Sequence, residues 1–228
     1  MTPPLDAWGL AGTPVPLLGG HRNTVLRVAD HVVKSTRRTE GAAAWLLPVM
    51  DALAVHGLLA PRPLRSVDGR LVVEGWTCEP FVDGVPCATV SLRRAWPRLS
   101  KSLGQRPGFA AAQALQHISR GGDIDLSTMP PPLVRAIRKA WERLPRAVHC
   151  IVHGDLTRSN LIQTPDGIAV IDWDEARLDH PGFDNVALGQ ATTAEARAAQ
   201  AWETACCWQI EPHRARTLAR AFLRSALD

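Results

Sequence analysis

Apolar residues in the first third of the chain come in short runs cut by turn formers. Val15 to Leu18 and Thr24 to Val28 are separated by Gly19-Gly20-His21-Arg22-Asn23, and Ala29-Asp30-His31 leads into Val32-Val33-Lys34. Runs of this kind predict three successive strands. The period then lengthens: Ala42, Ala43, Trp45, Leu46, Val49, Met50 and Leu53 recur at helical spacing between about Thr39 and His56, with Gly57 as a stop. Pro48 lies inside that pattern and must kink the helix or open a second one. Pro63 to Ser66 and Leu71 to Glu74 flank Asp68-Gly69 and predict a hairpin; Gly75 to Phe81 predicts a last strand, with Val82-Asp83-Gly84 as a link to the next lobe.

Beyond the link the pattern is mainly helical. Leu92 to Leu103, Ala110 to Ser119 and Pro132 to Leu144 have helical character with Gly and Pro between them, and Thr193 to Leu227 predicts two amphipathic helices broken near Glu211-Pro212. One exception interrupts them. Leu161-Ile162-Gln163 and Ile168-Ala169-Val170-Ile171 flank Thr164-Pro165-Asp166-Gly167, which has Pro at the second and Gly at the fourth position of a type I turn, so the two runs predict a hairpin. The pattern as a whole predicts an α+β protein of two lobes, divided into residues 1–81 and 82–228.

Composition narrows the class. A chain of 228 residues, 46% hydrophobic and 21% charged, is long enough for one large domain or two small ones. No apolar run approaches the roughly 20 residues that a spanning helix needs, and the opening residues do not read as a signal peptide, so a cytoplasmic protein without membrane contact is expected. Cys78, Cys87, Cys150, Cys206 and Cys207 form an odd set with no zinc-like spacing, which predicts reduced and mostly buried thiols. The net charge of +4 is unevenly spread: between Val90 and Cys150 there are eleven Lys or Arg against Asp123, Asp125 and Glu142, whereas after Ile151 acids outnumber bases by eleven to seven. A basic stretch spread over predicted helices reads as a solvated face, and a nucleic-acid partner is not expected.

Candidate chemistry is concentrated between His153 and Asp174. His153-Gly154-Asp155-Leu156-Thr157-Arg158-Ser159-Asn160 is followed, after the predicted hairpin, by Asp172-Trp173-Asp174. Phosphoryl transfer needs a carboxylate to accept the proton of the attacking hydroxyl and hard oxygen ligands to hold magnesium against the phosphates. An Asp and an Asn five residues apart, with a hairpin returning a second Asp to their neighbourhood, fit that need.

These residues resemble the catalytic core of the aminoglycoside phosphotransferase and choline kinase-like superfamily, distant relatives of protein kinases. The family carries H-G-D-x-x-x-x-N followed by I-D-W/F-x-D/E, and this chain reads His153-Gly154-Asp155 to Asn160, then Ile171-Asp172-Trp173-Asp174. The resemblance implies a two-lobed protein-kinase-like fold, a β-rich nucleotide-binding N-lobe and a helical catalytic C-lobe. It implies Asp155 as catalytic base, His153 as a brace of the loop, and Asn160 and Asp172 as magnesium ligands with Asp174 as a further acid near the metal. Asp179-His180-Pro181-Gly182-Phe183-Asp184 is similar to the family's G-D-P-x-x-D stretch, with His180 in place of Asp, and Asp184 fits an acid that steadies the catalytic loop.

In the N-terminal lobe, Gly19-Gly20-His21-Arg22-Asn23 resembles the phosphate-covering loop, with Gly19, Gly20 and Asn23 at the nucleotide. Lys34 stands where a kinase lysine reaches the α- and β-phosphates, with Glu40 as its candidate partner on the following helix. Glu79 and Phe81 fall in the segment whose backbone would bond adenine. The stretch from Trp45 to Trp76 is also similar to that of short actinobacterial members. The implied activity moves the γ-phosphoryl group of ATP, with GTP as an alternative donor, to a hydroxyl of a small molecule. The family name would suggest a polycationic aminoglycoside, but the charge balance of the stretch from Ser91 to His149, eleven basic residues against three acids, points to an acceptor that is not polycationic. The competing reading is a nucleotide-binding pseudokinase or regulatory module whose basic C-lobe surface holds a protein or nucleic-acid partner.

Overall fold

The structure, a computed structural model, describes residues 2–17 and 22–224. In chain order the strands are β1 (Val15–Pro16), β2 (Val25–Val28), β3 (His31–Ser35), β4 (Trp76–Pro80), β5 (Val85–Pro86), β6 (Arg120–Gly121), β7 (Ile124–Asp125), β8 (Cys150–Val152), β9 (Leu161–Thr164), β10 (Gly167–Val170) and β11 (Arg177–Asp179). The helices are α1 (Glu40–Ala44), α2 (Leu46–Val55), α3 (Pro131–Glu142), α4 (Gly182–Asn185), α5 (Thr193–Ile210) and α6 (Pro212–Arg224). They form two compact units, one of residues 1–87 and 159–171, the other of residues 88–158 and 172–228. Against the expected division at 81/82, the first unit extends to residue 87 and takes in the β9–β10 hairpin. The reason is main-chain pairing: Val85 and Pro86 pair with Gln163 and Ile162, and Leu59 exchanges bonds with Ile168 and Val170. Gly84 makes this approach possible, since a Cβ there would collide with the Gln163 carbonyl.

The first unit is built on an antiparallel sheet in the order β1-β2-β3-β4. Val28, Val33, Trp76 and Cys78 form its buried core, with Leu5, Trp8 and Leu64 packed against them. The helical pattern divides at Trp45 into α1 and α2, and Pro48 falls in the first turn of α2, where its missing N–H costs nothing. The turn at Asp68-Gly69 forms, with the Gly69 amide on the Ser66 carbonyl (2.8 Å), but the hairpin expected around it does not. The amides of Leu71 and Val72 go instead to the Glu40 carboxylate (2.9, 3.0 and 2.9 Å), so a side chain takes the place of a partner strand.

In the second unit α3, α5 and α6 follow the predicted pattern closely, with α5 and α6 meeting at Glu211. Ile137, Trp141, Ala198, Trp202, Ala205 and Phe222 lie at the centre of its core. The helices expected over Leu92 to Leu103 and Ala110 to Ser119 are absent; single 3-10 turns at Thr89–Leu92, Lys101–Leu103 and Ala114–Gln116 stand there. Pro97, Pro107 and the left-handed Gly104 and Gly108 interrupt the helical hydrogen-bond ladder. Long-range side-chain bonds hold the segment instead. The Arg93 guanidinium donates to the carbonyls of Leu188 (3.0 Å) and Gly189 (2.8 Å), and that of Arg138 to Leu115 (3.1 Å) and Ile118 (3.2 Å). Part of the basic surplus that reads as a solvated face is therefore structural.

All five cysteines are free and four are buried. Burial, with Glu79 nearby, pushes the Cys78 thiol up to about 12, and burial with Asp184 raises that of Cys150 to about 11, so both stay protonated. Among the described residues no helix is long and apolar enough to cross a membrane.

Candidate active site

The chemistry predicted between His153 and Asp174 rests on the two-stranded ladder of β8 and β11, in which Arg177 faces Val152, Leu178 faces Ile151 and Asp179 faces Cys150. Cys150, Ile151 and Val152 are all buried, so this ladder is a fixed base for the loop that leaves it. His153, at 0% exposure, begins that loop. Its imidazole Nδ1 accepts the Asp155 N–H (3.3 Å), and its ring packs on Trp173 with centroids 4.6 Å apart. Gly154 follows with φ +82°, and a Cβ there would lie 2.5 Å from Arg177 Nη1 and 2.6 Å from the Glu175 carbonyl; only glycine fits. The next side chain, Asp155, is exposed.

Asp184, in the first turn of α4, holds the loop from below. Its carboxylate accepts the N–H groups of His153 (2.9 Å) and Gly154 (3.0 Å) and the indole N–H of Trp96 (3.2 Å). Burial pushes its carboxyl above the ordinary value, against the opposing pull of His153, the two amides and Arg177. Trp96 also stacks on Trp173 at 6.3 Å. Arg177, itself buried, donates to Asp179 (2.8 Å) and to the Glu175 carbonyl (3.1 Å) and lies 3.4 Å over the Trp202 ring.

His180, where the family pattern has Asp, still does the work of a turn acceptor. Its Nδ1 accepts the Gly182 N–H (2.9 Å), which leaves Nε2 to donate to the Pro145 carbonyl (2.9 Å). Below it Glu195 and Thr192 form a capping box at the start of α5, and Glu195 also accepts from Asn185 (3.1 Å). Burial alone would raise the Glu195 carboxyl, but bonds from Thr192 and Asn185 and the nearby His180 hold it below its usual 4.5. A depressed carboxylate stabilises the fold above its unfolded pKa, and that stability is lost as pH falls through the folded value. Glu195→Gln is thus expected to flatten the fall in melting temperature below about pH 4.5, measured by circular dichroism against the parent.

Asp172 stands at the entry to a single 3-10 turn, Trp173–Glu175, with left-handed backbone (φ 62°, ψ 61°), and its side chain does not cap that turn. Asp172 and Asp174 are half-buried. In the first unit, the β9–β10 ladder closes with the Ile171 N–H on the carbonyl of buried Asn160 (2.9 Å), and Asp172 is the next residue along the chain. Among the described residues no three His, Cys, Asp or Glu side chains converge as a ready-made metal centre. The candidate ligands Asn160, Asp172 and Asp174 carry amide and carboxylate oxygen, the hard donor type that magnesium takes alongside water and phosphate.

The nucleotide-side candidates are placed in the first unit. Lys34 is buried on β3, between Val25 and Thr77, and Asn23 is half-buried ahead of β2; Gly19 and Gly20 lie outside the described residues. The Glu40 carboxylate takes the Leu71 and Val72 amides, with Arg65 at 3.9 Å. Glu79 pairs across the sheet with Val32, while the Phe81 N–H is given to the Asp30 carbonyl (2.8 Å) and its ring lies 3.8 Å under Arg27. The Phe81 amide is thus taken by the turn between β2 and β3.

Residues that sequence reasoning missed come from the stretch without motifs. Arg106 and Gln105 bind the backbone of residues 173–178, and Trp96 binds Asp184. Their partners lie 67 to 88 positions away, so no local spacing could reveal them.

Residues 13–218 match the phosphotransferase enzyme family (APH), and the chain belongs to that family. No curated protein matches its sequence. Among solved structures, the GDP and kanamycin complex of APH(2″)-IIia superposes with a TM-score of 0.55 at 12% identity, covering 96% of this chain and 94% of that one. Choline kinase LicA from Streptococcus pneumoniae gives 0.55 at 14% identity, with 95% of each chain covered. Amicoumacin kinase hAmiN, in complex with AMP-PNP, Ca2+ and Ami, gives 0.55 at 14%, covering 96% and 74%. The fold is that of these kinases, α+β with a β-sheet N-terminal region and a helical C-terminal region.

Proposed function

We propose that this protein is a small-molecule kinase that transfers the γ-phosphoryl group of ATP, or of GTP, to a hydroxyl group. The observation that carries this reading is the exposed Asp155 on a loop whose neighbouring polar groups are tied down internally by Asp184, His153 and the glycine-only approach to Arg177. Such a loop presents one carboxylate and holds it still, as a general base requires.

In the step itself the acceptor hydroxyl oxygen bonds to the γ-phosphorus, the bond from that phosphorus to the β–γ bridging oxygen breaks, and the hydroxyl proton passes to Asp155. His153 keeps the Asp155 backbone in place. Asn160 and Asp172, with Asp174 nearby, are the residues that would hold magnesium, which when bound neutralises charge on the phosphate oxygens. Lys34 supplies a fixed positive charge to the phosphates. A magnesium-dependent nucleotide-binding assay, followed by a screen of hydroxyl compounds for a mass gain of one phosphoryl group, tests the reading. Absence of any magnesium-dependent nucleotide binding would refute it.

The acceptor is neutral or anionic rather than polycationic. Each half-buried ammonium of a polycationic drug needs an opposing carboxylate to offset its desolvation. In the second unit five of these carboxylates already have partners: Glu195 is in the capping box, Glu203 pairs with Arg214, Glu211 lies 3.6 Å from Arg214, Asp125 bonds Arg120 (2.9 Å) and Asp179 bonds Arg177 (2.8 Å). Steady-state assays with kanamycin-like and gentamicin-like compounds are expected to show no efficient phosphorylation. Turnover with a low micromolar KM that rises with salt would overturn this.

A further inference from the structure

We propose that Arg106 is a positioning residue for the candidate metal loop: its buried guanidinium fixes the backbone that presents Asp172 and Asp174, and so sets the affinity of the site for a divalent cation. The proposal rests on the phosphotransferase reading above.

Arg106 is only 1% exposed. Its Nη1 donates to three carbonyls, those of Trp173 (3.0 Å), Asp174 (2.9 Å) and Ala176 (3.2 Å). Two of these belong to the turn that follows Asp172, and the third to the residue that ends it. The turn closes with a bond from the Ala176 N–H to the Trp173 carbonyl (3.2 Å), and the Arg106 guanidinium adds a donor to that carbonyl and to those of Asp174 and Ala176. Converging carbonyl oxygens carry partial negative charge, and a guanidinium in a dry interior both satisfies and neutralises them.

The arginine is held as firmly as it holds. Gln105 clamps Leu178 at both ends of its amide (2.9 and 3.0 Å) and also accepts the Arg106 N–H (2.9 Å), and Phe109 lies 4.6 Å from the guanidinium carbon. Backbone and side chain of Arg106 are thus fixed to the same segment that carries the two acids.

The left-handed backbone at Asp172 shows why such a clamp matters. Asp is among the few non-glycine residues that visit this conformation, and it persists where the surroundings over-determine it. Here the carbonyls that Arg106 grips, those of residues 173, 174 and 176, all follow within four residues. Loss of the guanidinium frees carbonyls 173, 174 and 176 to turn toward other donors, and rotation of the two peptide units that flank Asp174 moves its side chain.

The test titrates Mn2+ into the full chain in the presence of a non-hydrolysable ATP analogue, with free Mn2+ read by electron paramagnetic resonance, for the parent and for R106M, R106Q and R106K. Metal-free nucleotide affinity and melting temperature are measured alongside. R106Q, whose amide can hold one carbonyl, accompanies R106M so that a folded neutral variant is in hand. The neutral variants are expected to bind Mn2+ about 10–100-fold more weakly, with metal-free nucleotide affinity unchanged and R106K recovering to within about fivefold of the parent. A folded neutral variant with parental Mn2+ affinity, whatever its melting temperature, overturns the proposal and leaves Arg106 a core residue only. Absence of nucleotide-dependent Mn2+ binding in the parent is a different result: it overturns the kinase reading and this proposal together.

Discussion

Asp155→Asn is expected to lower turnover on any verified acceptor by about two to four orders of magnitude while the protein stays folded and binds nucleotide as before. The substitution keeps the shape of the side chain but removes its basicity, so the hydroxyl proton has no carboxylate to accept it. The bond from the Asp155 N–H to His153 Nδ1 is made by the backbone, and the variant retains it. The side chain is exposed, so stability should stay within about 0.5 kcal/mol of the parent. Single-turnover phosphorylation and nucleotide titration on the same preparation separate the two quantities. Unchanged turnover would place the base elsewhere.

The second large effect is expected at Asp172, where three substitutions separate metal binding from backbone strain. Asn tolerates a left-handed backbone, Gly adopts it without cost, and Ala pays about 1 kcal/mol for it. With φ 62° and ψ 61°, D172N and D172G should therefore melt close to the parent and D172A below it. All three should lose magnesium-dependent nucleotide binding, since none restores the negatively charged ligand. Calorimetric titration with and without magnesium checks this. Equal nucleotide affinity for D172N and parent in magnesium would sink the metal assignment, and equal melting of D172A and D172G would show that the left-handed conformation is not held in solution.

The sheet and helices of regular pattern were legible because their signals are local. β2 and β3 are short apolar runs with a turn between them, α5 and α6 carry helical spacing with a break at Glu211-Pro212, and the β9–β10 hairpin is marked by Thr164-Pro165-Asp166-Gly167. The hairpin expected around Asp68-Gly69 failed for a reason that local pattern does not contain. The amides of Leu71 and Val72 found a better acceptor in the Glu40 carboxylate, 31 and 32 residues away. The family resemblance suggests Glu40 as a candidate partner for Lys34, and the structure shows its carboxylate on the Leu71 and Val72 amides.

Sequence alone named the candidates for chemistry: the order His153, Asp155, Asn160, Asp172 is a statement about residue types and spacing, and both survive without coordinates. What it could not determine is how the chain keeps those residues still. The loop at His153 is held by Asp184, 31 residues on, and by Trp96, which reaches Asp184 across 88 positions. The turn after Asp172 is gripped by Arg106 from a stretch that reads as a basic helical surface. Tertiary structure decided these roles because a buried carboxylate or guanidinium acquires its function from the polar groups it must satisfy, and those groups become its neighbours only when the chain folds.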